Sequence, residues 1–146
     1  MPFGHPDFTL PPPSLLERAV RIPPVEIAPG ERKEVFRITG PGVIRRTCIA
    51  LSDSRLHVYI YTDDELFDDF TPDDLFAYGY GPWTPAVRLL RYWPQGPCLI
   101  IYEVGLEFKR ELRIEMENPT GETASGGASG AGGGGGTAGW DQVLAV

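Results

Sequence analysis

Hydrophobic and polar residues alternate most regularly between Leu106 and Glu117. Leu106, Phe108, Leu112, Ile114 and Met116 share one parity; Glu107, Lys109, Glu111, Arg113, Glu115 and Glu117 share the other. Strand side chains point to two faces in turn, so the pattern predicts one long strand with a dry side and a wet side. Only Arg110 breaks the dry parity. On a helix the same apolar residues would scatter around the axis and leave no face to bury. Twelve residues at ~3.3 Å each extend roughly 40 Å. Other strands are expected to lie across it, which makes this a sheet protein.

The neighbouring segments carry the same signal. Val25 and Ile27 suggest a short edge strand closed by a Pro29-Gly30 turn. Glu31 to Ile38 follows, with Phe36 and Ile38 inward, then a Gly40-Pro41-Gly42 turn. Val43 to Leu51 is apolar on both parities, as a central strand of a two-layered body would be. Ser52-Asp53-Ser54 reads as the loop of a hairpin returning through Arg55 to Tyr61. There Leu56, Val58 and Ile60 share one face, and His57, Tyr59 and Tyr61 the other. Val87 to Trp93 and Cys98 to Val104 are two more strands, with Gly105 at a corner or bulge. One short helix is expected at Thr71-Pro72-Asp73-Asp74, where a cap residue, a proline and two acids suit a helix start; Gly79 ends it. About eight strands with short turns predict an all-β fold, an antiparallel β-sandwich or barrel. A jelly roll is preferred because strands buried on both parities suit two sheets.

Composition divides the chain into three parts. Residues 1–24 form a proline-rich arm, residues 25–121 the β-domain, and residues 122–146 a glycine-rich leash with an apolar tag. Eight prolines fall within residues 1–29, and proline neither donates to a ladder nor suits a helix interior. A capping box at Ser14 and Glu17 suggests one helical turn carrying Leu15, Leu16, Ala19 and Val20. Phe3, Phe8, Leu10, Leu15 and Leu16 would each cost ~1.5–3 kcal/mol to leave in water, so the arm is expected to dock. From Gly121 to Gly139 ten of nineteen residues are glycine, which predicts a flexible linker. Trp140, Val143, Leu144 and Val146 make the apolar tag at its end.

The net charge of −7 argues against a general nucleic-acid binder, which needs a basic surface. No apolar run approaches the ~20 residues of a membrane span, and no secretory signal pattern opens the chain. Cys48 and Cys98 lie in apolar strand-like runs and read as two buried thiols, although a bridge is possible. No G-x-S-x-G elbow, HExxH pair or phosphate loop is present, so no enzyme, cofactor or resident metal is expected. His5 and His57 read as surface or packed residues. Seven carboxylates between Asp63 and Asp74 raise calcium, but the spacing lacks the glycine of an EF-hand loop. Leu66, Phe67 and Phe70 are expected to pin that loop down. Tyr78, Tyr80 and Trp83 form an aromatic loop, suited either to packing and subunit contact or to stacking on a sugar.

The runs GPGVIRRTCIALSDSRLHVYIYTDDELFDDF, TPDDLFAYG and LIIYEVGLEFKRELRIEMENPTG, within residues 40–121, resemble jelly-roll structural proteins of tailed phages. The size, the arms and the bias to arginine look most like a capsid decoration, or cement, protein of a thermophilic phage. The resemblance implies a thermostable, non-enzymatic virion protein assembled in the host cytoplasm. It would form a homo-oligomer, commonly a trimer, and grip the major capsid protein or another virion protein through exchanged arms. A tail or fibre component shares this logic. The alternative reading is a carbohydrate-binding module using the aromatic loop, with calcium in the acidic window.

Overall fold

The structure, a computed structural model, describes residues 18–21, as backbone, and 23–133. Phe3, Phe8, Leu10, Leu15, Leu16, Trp140, Val143, Leu144 and Val146, and His5 with them, lie outside the described residues.

Two antiparallel sheets pack face to face as a β-sandwich. Eleven strands are described: β1 (Arg18–Arg21), β2 (Val25–Ile27), β3 (Arg32–Thr39), β4 (Gly42–Leu51), β5 (His57–Thr62), β6 (Glu65–Phe70), β7 (Val87–Arg91), β8 (Cys98–Tyr102), β9 (Leu106–Phe108), β10 (Glu111–Glu117) and β11 (Ala124–Gly133). The one helix among the described residues, α1 (Pro72–Ala77), follows β6. The larger sheet runs β1-β11-β4-β8-β7, with β2 beside β11 and β9 beside β4; the smaller runs β3-β10-β5-β6. Strand alternation directs Phe36, Ile38, Val58, Ile60, Leu112 and Ile114 from the small sheet against Ile44, Ile49, Ile100 and Leu106 from the large one, and all are buried. The expected inward faces of β3 and β5 are the ones buried.

The predicted strand Leu106–Glu117 is two strands. β9 pairs with β4 in the large sheet, whereas β10 sits between β3 and β5 in the small one. The chain changes sheet at Lys109-Arg110, so the parity break at Arg110 marks the crossing. The Ser52-Asp53-Ser54 loop is likewise a crossing and not a hairpin turn, since β4 and β5 belong to different sheets. Asn118-Pro119-Thr120 makes a third. There the buried Asn118 amide donates to the carbonyls of Ile27 and Glu122, and Thr120 donates to the Asn118 side-chain oxygen.

The largest correction concerns the glycines. Residues 124–133 are not a leash: β11 is the second strand of the large sheet, pairing with β4 on one side and with β1 and β2 on the other. Small residues are required on its inward face. A Cβ at Gly126 would stand 2.2 Å from Met116 Sδ, and one at Gly132 would stand 2.0 Å from the Val43 carbonyl oxygen. The core supplies the bulk, and the strand supplies hydrogen bonds without bulk. β1 and β2 lie end to end on one edge of β11, separated by Pro23 and Pro24, which have no N–H to give. Ala19 and Val20 are therefore in a strand and not in the expected helical turn. The body extends beyond 25–121 at both ends.

Cys48 is half-buried and Cys98 buried; both are free thiols. Burial raises the Cys98 thiol pKa above the usual value.

Candidate interaction surface

β6 and β7 are edge strands of different sheets on the same side of the sandwich. Tyr102 of β8 ties them together by donating its hydroxyl to Asp68 of β6 at 2.7 Å. Between β6 and β7 run α1 and an irregular loop. This whole flank, residues 63–93, is built locally from recognisable parts.

It starts with a two-residue turn in which Asp63 (φ 52°) and Asp64 (φ 68°) both take the left-handed region, as tight hairpins between twisted strands require. The Asp63 carboxylate accepts the backbone N–H groups of Lys109 (2.9 Å), Arg110 (2.6 Å) and Glu111 (3.1 Å). These donors stabilise the charged form and hold the Asp63 pKa below the usual carboxylate value. The turn thus pins the crossing between the sheets.

The acidic window expected as a loop is mostly strand β6 and helix α1. Of the three apolar residues expected to anchor it, Phe70 does so: it is buried and stacks on Tyr102 at 5.8 Å between centroids. Leu66 and Phe67 are exposed instead. The helix forms as predicted, with the Thr71 hydroxyl accepting from the Asp74 N–H and Leu75 buried beneath it. Phe76 stacks on Tyr92 at 4.2 Å, and the Tyr92 hydroxyl donates to Asp73 at 2.7 Å. That bond is the main reason the Tyr92 pKa is pushed up to about 12. The loop beyond is closed by Thr84, whose hydroxyl accepts from the Gly81 N–H.

Every large hydrophobic side chain that the described residues leave exposed belongs to this flank. They are Leu66, Phe67, Phe76, Tyr78, Trp83, Leu90 and Trp93. Tyr78 is 79% and Trp83 93% exposed. Single exposed apolar residues are ordinary, whereas a set gathered on one side marks a contact surface. The surface is acidic as well: residues 63–93 hold seven carboxylates against Arg88 and Arg91.

Of the aromatic loop singled out in the sequence, Tyr78 and Trp83 stand free. Tyr80 turns inward and packs against the core, so the three rings do not make one platform. Phe76, Leu90 and Trp93 were missed. Trp93 closes an apolar strand run and Phe76 sits in a helix start, so each looks like core until the outward face is known.

The carboxylates are mostly engaged by protein groups. Asp64 meets Arg113 at 3.1 Å, and Asp69 lies 3.6 Å from His57. Asp63, Asp68 and Asp73 have the partners already given. Among the described residues no three His, Cys, Asp or Glu side chains converge as a metal cage. His57 stacks on Tyr59 at 4.3 Å on the outer face of the small sheet. That face is a lattice of charges: Arg113 bonds Glu111 and Glu115, Arg37 bonds Glu34 and Glu111, and Arg32 covers the Tyr59 ring while bonding Glu115.

No protein-family model matches the chain, and no curated protein shows significant sequence similarity to it. No helix among the described residues is long and apolar enough to cross a membrane.

Proposed function

We propose that this chain is a non-enzymatic assembly protein whose β6–α1–β7 flank grips another protein, and that its setting is a virion shell, which it decorates and cements. One observation carries the gripping role: the exposed large apolar side chains fall on a single flank, whose helix and edge strand are tied to the body by the Tyr92–Asp73 and Tyr102–Asp68 hydrogen bonds. Exposed tryptophan and tyrosine side chains bring large contact area, and such residues commonly dominate the binding energy of protein interfaces. The virion setting rests on the resemblance of residues 40–121 to phage jelly-roll proteins. A tail or fibre location uses the same surface. Exchange of the terminal arms, in a trimer or otherwise, adds avidity to this grip.

The carbohydrate reading has less support, because Tyr80 is withdrawn from the aromatic loop and leaves only Tyr78 and Trp83 free. A glycan array probed with the full chain tests it, binding lost in Trp83→Ala being its signature.

Light scattering of the full chain tests assembly. A homo-oligomer that dissociates in Trp83→Ser/Trp93→Ser, with an unaltered circular dichroism spectrum, is expected. An oligomer indifferent to both changes removes the flank from its role. Co-sedimentation with isolated capsid shells of tailed phages tests the setting separately.

A further inference from the structure

We infer that the partner gripped by the β6–α1–β7 flank places an arginine or lysine side chain in a cleft there, lined by Asp68, Asp69 and Asp74. This rests on the assembly reading above and adds the chemistry that the partner must bring.

The cleft, about 340 Å³ in volume, is lined by Asp68 and Asp69 of β6, by Asp74 and Leu75 of α1, and by Tyr78 and Tyr80 beyond the helix. No lysine or arginine lines it. Asp68 accepts the Tyr102 hydroxyl at 2.7 Å and the Asp69 N–H at 2.9 Å, two neutral donors that orient its charge without cancelling it. Asp69 has the His57 ring 3.6 Å away, an ion pair only when that ring is protonated. Asp74 is exposed, and among the described residues no side chain pairs with it. Arg88 of β7 is taken by Glu103 at 2.9 Å. The outer face of the small sheet is the contrast, since Glu111 and Glu115 are each shared there by two arginines. The cleft keeps negative charge that the described residues do not match.

That mismatch constrains what can cover the flank. A partner that buries Phe76, Trp83 and Trp93 also takes water from the neighbouring carboxylates. A carboxylate that loses water without gaining a counter-charge opposes binding, so a neutral partner surface fits badly. Phosphate-bearing partners, nucleic acid or an anionic membrane, meet like charge and are repelled. A cationic side chain removes the conflict. Its charged head pairs with the aspartates, and its methylene stem lies along the apolar part of the lining. Tyr78, 79% exposed, offers a ring face over which a guanidinium or ammonium can sit. The apolar residues then supply contact area, and the cleft selects a partner with a base at that point.

The test follows backbone amide shifts of the isotopically labelled full chain. It is titrated with the acetylated, amidated tripeptide Leu-Arg-Leu and with the same peptide carrying citrulline, which keeps the shape and loses the charge. Saturable shifts at the amides of Asp69, Asp74 and Tyr78 are expected with arginine and not with citrulline. Asp69→Asn/Asp74→Asn should weaken binding by about tenfold. Glu26→Gln/Glu122→Gln removes the same charge from exposed sites elsewhere and should leave binding unchanged. Equal binding of both peptides, no saturable binding of either, or an equal loss in the two variants overturns the inference. Spermidine binding as tightly as the tripeptide overturns the protein source of the cation, because the apolar contacts would then add nothing. In each of these cases the assembly reading stands if the oligomer still depends on Trp83 and Trp93 in light scattering. An oligomer indifferent to those two removes the assembly reading, whatever the peptides do. If Asp69→Asn/Asp74→Asn unfolds, Tyr78→Ala takes its place, and the loss is read in the same way.

Discussion

Tyr102 and Asp68 meet across the sandwich, the tyrosine hydroxyl donating to the carboxylate at 2.7 Å from β8 of one sheet to β6 of the other. The tyrosine ring is buried against Phe70, and its oxygen is the one polar atom it carries inward. Tyr102→Phe keeps the ring and removes the donor. A hydrogen bond to a charged acceptor contributes ~1.5–3 kcal/mol when buried. Asp68 is half-exposed and recovers water in part, so the loss should be about 1 kcal/mol. A urea melt should show a lower midpoint with an unchanged slope. An unaltered midpoint would mean that water serves Asp68 equally well.

Three tyrosines, Tyr59, Tyr92 and Tyr102, should ionise late. Burial first, then the Asp68 carboxylate, raise Tyr102 far above the ordinary phenol value, and Asp73 lifts Tyr92 to about 12. Burial and Glu117 raise Tyr59 as well. These folded-state values lie above the unfolded value of ~10. The stability they contribute is therefore whole below that pH and disappears as pH rises through the folded values. Ultraviolet titration should show tyrosinate absorbance still rising well above the ordinary phenol pKa, and that late rise should coincide with unfolding by circular dichroism and shrink in Tyr102→Phe. A titration complete near the ordinary phenol pKa would contradict the environments of Tyr59, Tyr92 and Tyr102.

Asp63 works with the opposite sign. Three backbone N–H groups at the sheet crossing depress its pKa, so its contribution is present above the unfolded value of ~3.9 and is lost as pH falls through the lower folded value. Asp63→Ala should lower the melting temperature near neutral pH, and the gap from wild type should narrow as acid protonates the carboxylate. Asp63→Asn should lose less, since its amide oxygen still accepts and asparagine tolerates a positive φ. A gap independent of pH would assign the effect to the turn conformation instead.

Period-two patterning made most of this fold readable. The inward faces of β3, β5 and β10 are legible from Phe36 and Ile38, from Leu56, Val58 and Ile60, and from Leu112, Ile114 and Met116. The capped helix at Thr71 is legible from local chemistry. What alternation does not report is which sheet a strand joins. The parity continues across Lys109-Arg110 although the chain passes between layers there, and Arg110 was the sole trace of it. Composition misled at β11, because glycine and alanine signal a linker only when nothing large lies opposite them. Met116, Ile44 and Phe36 lie opposite, and they come from far away in sequence. The surface was half legible: Tyr78 and Trp83 stood out in a loop, whereas Phe76, Leu90 and Trp93 share the pattern of core residues, and Leu90 is exposed on the edge strand β7.

That reading of β11 can be tested by adding single methyl groups. At Gly132 a Cβ would meet the Val43 carbonyl at 2.0 Å and the Ile44 Cα at 2.8 Å, both backbone atoms, beside a shift in strand register. Backbone cannot swing away, so Gly132→Ala should cost more than the ~1–3 kcal/mol usual for overpacking or force the pairing to rearrange. At Gly126 the obstacle is the end of a methionine side chain, which has other rotamers, and Gly126→Ala should cost less. Combining it with Met116→Ala should recover part of that cost, a coupling that a double-mutant cycle measures directly. Gly105, where an added Cβ would have nothing within 4 Å, is the control, and Gly105→Ala should be neutral or slightly stabilising. Chemical denaturation of these variants sets the order. Equal, negligible effects at Gly132, Gly126 and Gly105 would return residues 124–133 to the status of a linker, whereas a steep loss at Gly132 alone makes the glycine-rich strand a packed member of the sheet.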